Sequence, residues 1–428
     1  MKKIINVSSF KSRLRNMFTA NIVPIIFLAV CLIGSYYSAS SAPTILSDLV
    51  NRFSRNAVLV MSLIMPVITG MGLNFGIVLG AMCGQAGIIV VRILGIGGLP
   101  GIFVAMLVAA VASALCGQLA GRLLNRTKGQ EMITSMIMGF FANGVYQFIF
   151  LFVVGGIIPV TSEIILSSGI GINSNIEMGS MKSALDNMTL FGFNTRVDVF
   201  TALVVLGILF TTLSLISCVA LKRREKRDMI KLLAVACLFP IGFIGGKLPA
   251  LAQYKLLIRI PIPTFLIIFF VGWLIKSFLK TKLGHDMRAV GHDRRVAAAA
   301  GINVNRTRII AVMISTVMAG IGQVIYYQNL GVMDTYYGHE RIGTYCVAAI
   351  LIGGASVKKA NVGQAIVGTL LFHLLFNVSP MAAQNLFSNS MVGGYFRMAI
   401  CYGIIAISLI LHAWRSRVDE KNLRAQMR

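Results

Sequence analysis

Few residues in this 428-residue chain have the type and spacing to do chemistry, and each group can be taken in turn. Nucleotide hydrolysis needs a glycine-rich cradle, G-x-x-x-x-G-K-[ST], whose backbone N–H groups wrap the phosphates while the lysine neutralises them. The nearest approach is Gly245-Gly246-Lys247, which lacks the first glycine and runs into Leu248. The chain is therefore expected to be no enzyme and to bind no cofactor of its own. Ion-coupled carriers usually bury carboxylates in their spans, because those groups carry the coupling. All 14 acids read as lying outside the apolar cores, with Glu131 and Asp198 at helix starts, where a negative charge complements the dipole. Backbone carbonyls can also hold ions, so an ion-gradient-driven carrier of a polar solute stays open as the alternative. Asp286, His285 and His292 are the only loose candidates for a membrane enzyme's metal or phosphate chemistry. His373 stands alone, and Cys31, Cys83, Cys116, Cys218, Cys237, Cys346 and Cys401 sit singly in apolar stretches. Neither pattern is a metal site or a disulfide framework.

The most informative stretch runs from Gly284 to Arg306. Asp293 is placed as an N-cap, Arg294 to Ala300 are strong helix formers and Gly301 is a C′ terminator, so a surface helix of about two turns is encoded. Its four alanines offer shape with little bulk, which suits insertion into a groove on another protein.

Arg288-Ala289-Val290-Gly291, the alanine run, Gly301-Ile302-Asn303-Val304, then Ser315 and Ala319-Gly320 resemble the cytoplasmic coupling region of the simple-sugar, nucleoside and branched-chain amino-acid ABC importer permeases. Ala348 to Ser356 and Gly363 to Thr369 are similar to that family's Gly-Gly turn and following helix. Lys128 to Met138 is similar to its nucleoside branch. Lys358-Lys359-Ala360-Asn361 departs from the usual glycine-rich turn, and Tyr345-Cys346 from an aliphatic stretch. The resemblance covers roughly Ala57 to Val378 and is nearest the simple-sugar and nucleoside branches. It implies a type II importer permease that works as a dimer of identical or related chains. ATP and Mg would be held by partner ATPase subunits gripping Arg288, Gly291, Asp293, Arg294, Arg295, Ala297, Ala298, Ala299, Gly301 and Asn303. An extracytoplasmic solute-binding protein or lipoprotein would dock on the other side.

The elements that must position these residues follow from composition. With 57% hydrophobic and 12% charged residues and a mean hydropathy of +0.81, the chain reads as an all-α, polytopic helical bundle in the bacterial inner membrane. Its net charge of +25 lies in short clusters between apolar runs, which speaks for positive-inside loops and against nucleic acid. At about 20 apolar residues per crossing, candidate spans are Met17–Tyr37, Ala57–Phe75, Gly76–Leu94, Ile102–Gly121, Met132–Ile158, Phe200–Leu221, Ile230–Lys247, Pro261–Leu279, Ile309–Asn329, Gly343–Ser356, Val362–Val378 and Tyr395–Trp414. Gly76–Leu94 and Gly343–Ser356 are short or glycine-rich enough to be half-helices, so about ten to twelve spans are expected. The apolar run from Ile22 to Gly34 reads as an uncleaved first helix rather than a signal peptide. Four, two, two, two and two crossings separate the six basic clusters, so all fall on one side. That leaves residues 1–16 and 415–428 as cytoplasmic tails flanking a permease domain at 17–414, with an external loop at 159–198 and the coupling region at 281–308.

Gly76, Gly80 and Gly84 recur every fourth residue and let another backbone approach, as do Gly353 and Gly354. Uncharged polar residues in the spans must find partners or line a hydrated path. Asn74, Gln85, Asn143, Gln147, Gln323 and Asn377 are the candidates for that path, while Gln118, Gln328 and Asn329 complete the set. Neutral donors and acceptors without fixed charge suit a sugar or nucleoside. Tyr326, Tyr327, Tyr336 and Tyr337 read as interface anchors.

Overall fold

Long apolar runs punctuated by glycine and proline form helices here, because in a membrane the backbone must satisfy its own hydrogen bonds. The computed structural model describes residues 22–127, 129–152, 175–190, 193–220, 238–357, 359–388, 391–400, 402–403, 405–407 and 410. In chain order the helices are α1 (Ile22–Tyr37), α2 (Ala42–Ser62), α3 (Ile64–Ile68), α4 (Ile77–Ile93), α5 (Gly98–Arg126), α6 (Glu131–Phe152), α7 (Val199–Ala220), α8 (Leu238–Gly245), α9 (Ala252–Leu257) and α10 (Ile262–Phe278). They continue with α11 (Lys282–His292), α12 (Arg294–Ala299), α13 (Val304–Leu330), α14 (Ile342–Ile352) and α15 (Val362–Phe387). A last helix, α16, runs over Met391–Ile407. The short strands form antiparallel pairs: β1 (Asn175–Glu177) with β6 (Val332–Asp334), β2 (Thr189–Leu190) with β3 (Phe193–Asn194), and β4 (Arg196–Asp198) with β5 (Arg259–Pro261). The fold is an all-α polytopic bundle.

Three helices, α4, α5 and α13, make the tightest packing. Along α5 the small residues Ala105, Ala109, Ser113, Gly117 and Gly121 recur every fourth position and are buried. Phe103, Leu107, Val111, Leu115 and Leu119 recur at the same spacing and are exposed. One face lets α13 approach closely and the other meets lipid. A methyl on Gly121 would lie 3.0 Å from Ile309 Cα, and Thr316 Oγ1 donates to Ser113 O at 3.0 Å. Gly80 and Gly84 of α4 face Thr316 O and Gly320 O of α13, leaving no room for a side chain. Gly353 and Gly368 do the same where α14 crosses α15.

The expected spans need three corrections. Ala57–Phe75 is not one helix. The helix starts at Ala42, ends at Ser62, and is followed by the five-residue α3 and an irregular stretch. Asp48, Arg52 and Arg55 therefore lie inside a bundle helix, which corrects the reading that every acid lies outside the helix cores. Asn377 donates to Asp48 at 3.2 Å, and Arg52 lies over the Phe376 ring at 5.4 Å. Among the described residues only α5, α6, α13 and α15 are long and apolar enough to cross alone, with α10 and α11 a fifth across a 75° bend. The apolar helices α1, α4, α14 and α16 are shorter, and α2 carries charges along its length. The described part of the expected external loop is tied to the bundle, since β1 pairs with β6 and Asp186 is fully buried. Gln328 and Asn329 donate to its carboxylate at 3.0 and 3.2 Å, and Thr264 donates to it as well. The calls on residues 1–21, 153–174, 221–237 and 411–428 lie outside the described residues.

Candidate functional site

The loop after α10 forms α11 and then α12, where a single two-turn helix was expected. Asp293 caps α12 through Oδ1, which accepts from the Arg295 and Val296 amides at 2.7 and 3.1 Å. Those two bonds, that of Val296 first, hold its carboxyl below the usual aspartate range. At the other end Gly301 takes φ +82°, while Gly301 N and Ile302 N donate to Ala298 O and Ala297 O at 3.0 Å each. This paired arrangement satisfies the last carbonyls and needs a left-handed residue, which glycine supplies. Ala298, Ala299 and Ala300 are exposed. Ala297 is turned inward and buried, so the free face is three alanines with Val296 beside them.

Arg294 and Gly291 tie α12 into the bundle. Arg294 Nη2 donates to Gly70 O at 2.9 Å and lies 2.9 Å from Glu131 Oε1. The same oxygen receives Arg308 Nη2 at 2.6 Å, while Glu131 Oε2 accepts the Gly129 amide at 3.0 Å. One carboxylate at the start of α6 thus holds two guanidiniums, one from α12 and one from α13. Gly291 packs backbone against backbone on the turn after α3: a methyl there would collide with Ile68 O, and one on Gly70 would lie 3.0 Å from Gly291 Cα. Gly70 and Gly72 have φ of +71° and +76°, which turn the chain toward α4. Asn303 caps α13 through the Arg306 amide at 3.0 Å. Arg288 is exposed on α11.

The irregular stretch that begins at Gly70 ends at a cavity in the middle of the bundle. Asn74 Oδ1 accepts the Gly76 amide at 2.9 Å, and Ser135 Oγ accepts the Phe75 amide at 3.1 Å. From there α4 runs away from the α12 end. After β6 the chain returns inward as a non-helical turn, and α14 starts at Ile342 and runs toward the α12 end. The first turns of α4 and α14 touch, since a methyl on Gly343 would lie 3.0 Å from Val78 Cγ2 and 3.3 Å from Phe75 O. Two helix N-termini, each a positive dipole end, therefore converge there. The cavity beside them measures about 440 Å³ and is lined by Phe75, Phe140, Asn143, Arg341, Thr344 and Tyr402, among others.

His339 fixes the depth of that turn. Its ring joins Gln85, in the middle of α4, at 2.6 Å and Asn143, in the middle of α6, at 2.7 Å. Gln85 Nε2 donates to Asp334 O at 2.8 Å, and a carbonyl can only accept. Gln85 Oε1 therefore faces His339 and accepts from its Nδ1. Glu340 and Arg341, the next two residues, are exposed on the face of the bundle. Hydrocarbon does not tolerate charges or unpaired backbone at mid-depth, so that face meets water or another protein.

Of the six residues named for the path, Asn143 alone lines this cavity. Gln85 is fully buried, and its amide nitrogen also donates to Tyr327 Oη at 3.0 Å. Gln147 donates to Tyr336 O at 3.5 Å. Gln323 is buried with neither amide atom paired, Asn377 binds Asp48, and Asn74 caps the α4 turn. Tyr327 is buried in the bundle and is no interface anchor, whereas Tyr337 is exposed. Cys83 on α4 and Cys116 on α5, read as sitting singly, line the same apolar groove beside α6. Among the described residues no cluster of ligands could hold a metal ion.

A broken-helix bundle with a capped surface helix bonded to its irregular segment is an arrangement that comparison can place. Residues 45–409 match the family described as "Branched-chain amino acid transport system / permease component". The chain belongs to that family. It is similar to the nucleoside ABC transporter permease proteins NupB and NupC of Lactococcus lactis subsp. cremoris. The first is 32% identical over 112 residues, 26% of this chain and 28% of the relative. The second is 24% identical over 285 residues, 60% of this chain and 87% of the relative. The D-allose transport system permease protein AlsC of Escherichia coli is 26% identical over 148 residues, 33% and 44% of the two chains. The matches to NupB and AlsC thus span less than half of those relatives. No solved structure matches. As a family member the chain is a multi-pass membrane permease of the ABC transporter class.

The sequence reading missed His339-Glu340-Arg341 and the joint role of Glu131 and Arg308. The signal for the first was three charged or titratable residues directly before a segment already read as a half-helix. The signal for the second was Arg308, a second arginine in the first turns of α13, placed directly before the apolar run from Ile309.

Proposed function

We propose that this permease is the membrane-spanning subunit of an ATP-driven importer, moving a neutral, hydroxyl-rich solute such as a simple sugar or nucleoside into the cytoplasm. What carries the reading is the unbroken route from a capped surface helix to a cavity wall: α12, Arg294 and Gly291, the turn at Gly70, then Phe75. ATPase subunits grip the face formed by Ala298, Ala299 and Ala300 on the cytoplasmic side, where both termini also lie. Displacement of α12 moves the 70–76 segment, and with it the junction of α4 and α14. A second permease chain covers the face carrying Glu340 and Arg341, so that the two halves enclose a hydrated path. A solute-binding protein delivers cargo at the opposite end, near β1 and β6.

The cavity suits such cargo. Asn143, Thr344, Tyr345 and Tyr402 offer donors and acceptors, and Phe75 and Phe140 offer apolar ring faces. Its charged lining residues are one of each sign, Glu340 and Arg341, so the wall is neutral overall. The relatives named for nucleosides and for D-allose support the same solute class.

The test is bulk without charge on α12. Ala299→Trp should abolish ATP-dependent uptake in proteoliposomes and prevent co-purification with the ATPase, while membrane insertion is unchanged. Normal uptake by that variant, or uptake by the permease alone down an ion gradient, overturns the reading.

A further inference from the structure

Behind α12 lies a cleft of about 650 Å³, bounded by Arg294, Arg295, Ala298, Asn303, Asn305 and Arg308, with Ile302 and Val304 between them. Three guanidiniums face it, and Glu131 is the one acid bonded to any of them among the described residues. That carboxylate is fully engaged: one oxygen holds Arg294 and Arg308, and the other holds the Gly129 amide. Arg308 has no exposed surface, yet its Nε and Nη1 have no hydrogen-bond partner. A desolvated cation with unmet donors is costly unless an anion completes it. The N-terminus of α13, 27 residues long, opens on the same cleft. The Asn303 side chain accepts only the Arg306 amide and its carbonyl that of Thr307, so the positive end of that helix adds to the field. Asp293, which caps its own helix, offsets part of the charge of Arg295 but makes no ion pair with any of the three guanidiniums among the described residues.

We infer that this cleft receives an acidic side chain presented by the ATPase subunit, which pairs with Arg295 at the rim and reaches Arg294 and Arg308 within. The inference rests on α12 being the helix that the ATPase grips. It adds the chemistry of the partner: a carboxylate beside the groove that takes the alanine face. The position of the cleft favours that source over a lipid headgroup, since the cleft shares Ala298 with the docking face and is lined by no residue of the exposed α5 stripe. Seating the carboxylate would also give Arg294 and Arg308 an alternative to Glu131. Docking and release would then shift the grip of α12 on the bundle.

The test measures association of the intact permease with its ATPase in detergent, from about 50 to 500 mM salt. Wild-type affinity should fall with salt. Arg295→Glu, a surface change that leaves the buried pair intact, should weaken binding about tenfold at low salt and flatten the salt dependence, with Arg295→Gln between the two. Ala299→Trp should weaken binding equally at all salt concentrations. If Ala299→Trp disrupts association while Arg295→Glu does not, the cleft inference falls and the coupling reading stands. If neither variant matters, both fall. Inorganic phosphate or phosphatidylglycerol nanodiscs that stabilise the permease through Arg295, with ATPase affinity indifferent to that residue, would assign the cleft to a small anion or a lipid and overturn the inference.

Discussion

The two ends of the bundle each bury a carboxylate that gathers helices, and they do it with opposite chemistry. At the α12 end Glu131 holds two guanidiniums, leaves part of Arg308 unmet and ties a surface helix to α6 and α13. At the far end Asp186 holds Thr264, Gln328 and Asn329, all neutral, and ties the loop from β1 to β3 onto α10 and α13. A charge pair can be exchanged for another when a competing ion arrives. A ring of neutral donors has no such competitor and serves as a fixed clasp. The difference places the movable contact beside α12 and the static one at the loop.

Three changes would break or sharpen that contrast. The largest effect is expected from Glu131→Ala, which strands the buried Arg308 and should cost about 3–5 kcal/mol of stability. Thermal or denaturant unfolding in detergent measures it, and Arg308→Met in the same background should restore part of the loss by removing the stranded charge. Next, Asp186→Ala should cost about 1–3 kcal/mol by leaving three buried donors unpaired. Hydrogen exchange should rise at 175–190 and 326–331 while ATPase association stays unchanged. An Asp186 variant that uncouples the ATPase would erase the distinction between clasp and movable contact.

The smallest effect belongs to Asp293→Ala, which frays α12 and should lower ATPase association a few-fold. The folded carboxyl sits below the ordinary value of about 3.9. Its contribution is therefore full above that value and is lost as the pH falls through the lower, folded one. The gap between wild type and Asp293→Ala should stay constant down to about pH 4 and close only below it. A gap that closes at a higher pH would show the cap to be weaker than the two amide bonds imply.

What could be read in advance was what is local. Asp293, the alanines and Gly301 specify α12 within nine residues, because caps act three or four positions away. Of the glycines read as one stripe, Gly80 and Gly84 face α13, whereas Gly76 precedes α4 and meets Asn74 and Met138 instead. The start of α2 was not legible, since Asp48, Arg52 and Arg55 interrupt the apolar run and read as a connector. Only α13 and α15 explain them: Arg55 donates to Asn329, Asp48 accepts from Asn377, and Arg52 lies over Phe376. The cavity was hidden because β1, over 150 residues from β6, fixes where the chain turns back toward His339. No window of sequence contains both halves of that pairing.

Gly70 and Gly291 meet through backbone alone, with no side chain between them. Interdigitated side chains can absorb an ångström of travel by changing rotamer, so a contact built from them has slack. Two peptide planes in van der Waals contact have almost none. On the coupling proposed above, a stroke at α12 should reach residues 70–76 nearly undiminished, and the step at the cavity would be set by the distance the surface helix travels. A single β-carbon at Gly291 would act as a spacer, forcing the turn at Gly70 away from α11 and putting the two ends of that proposed route out of phase.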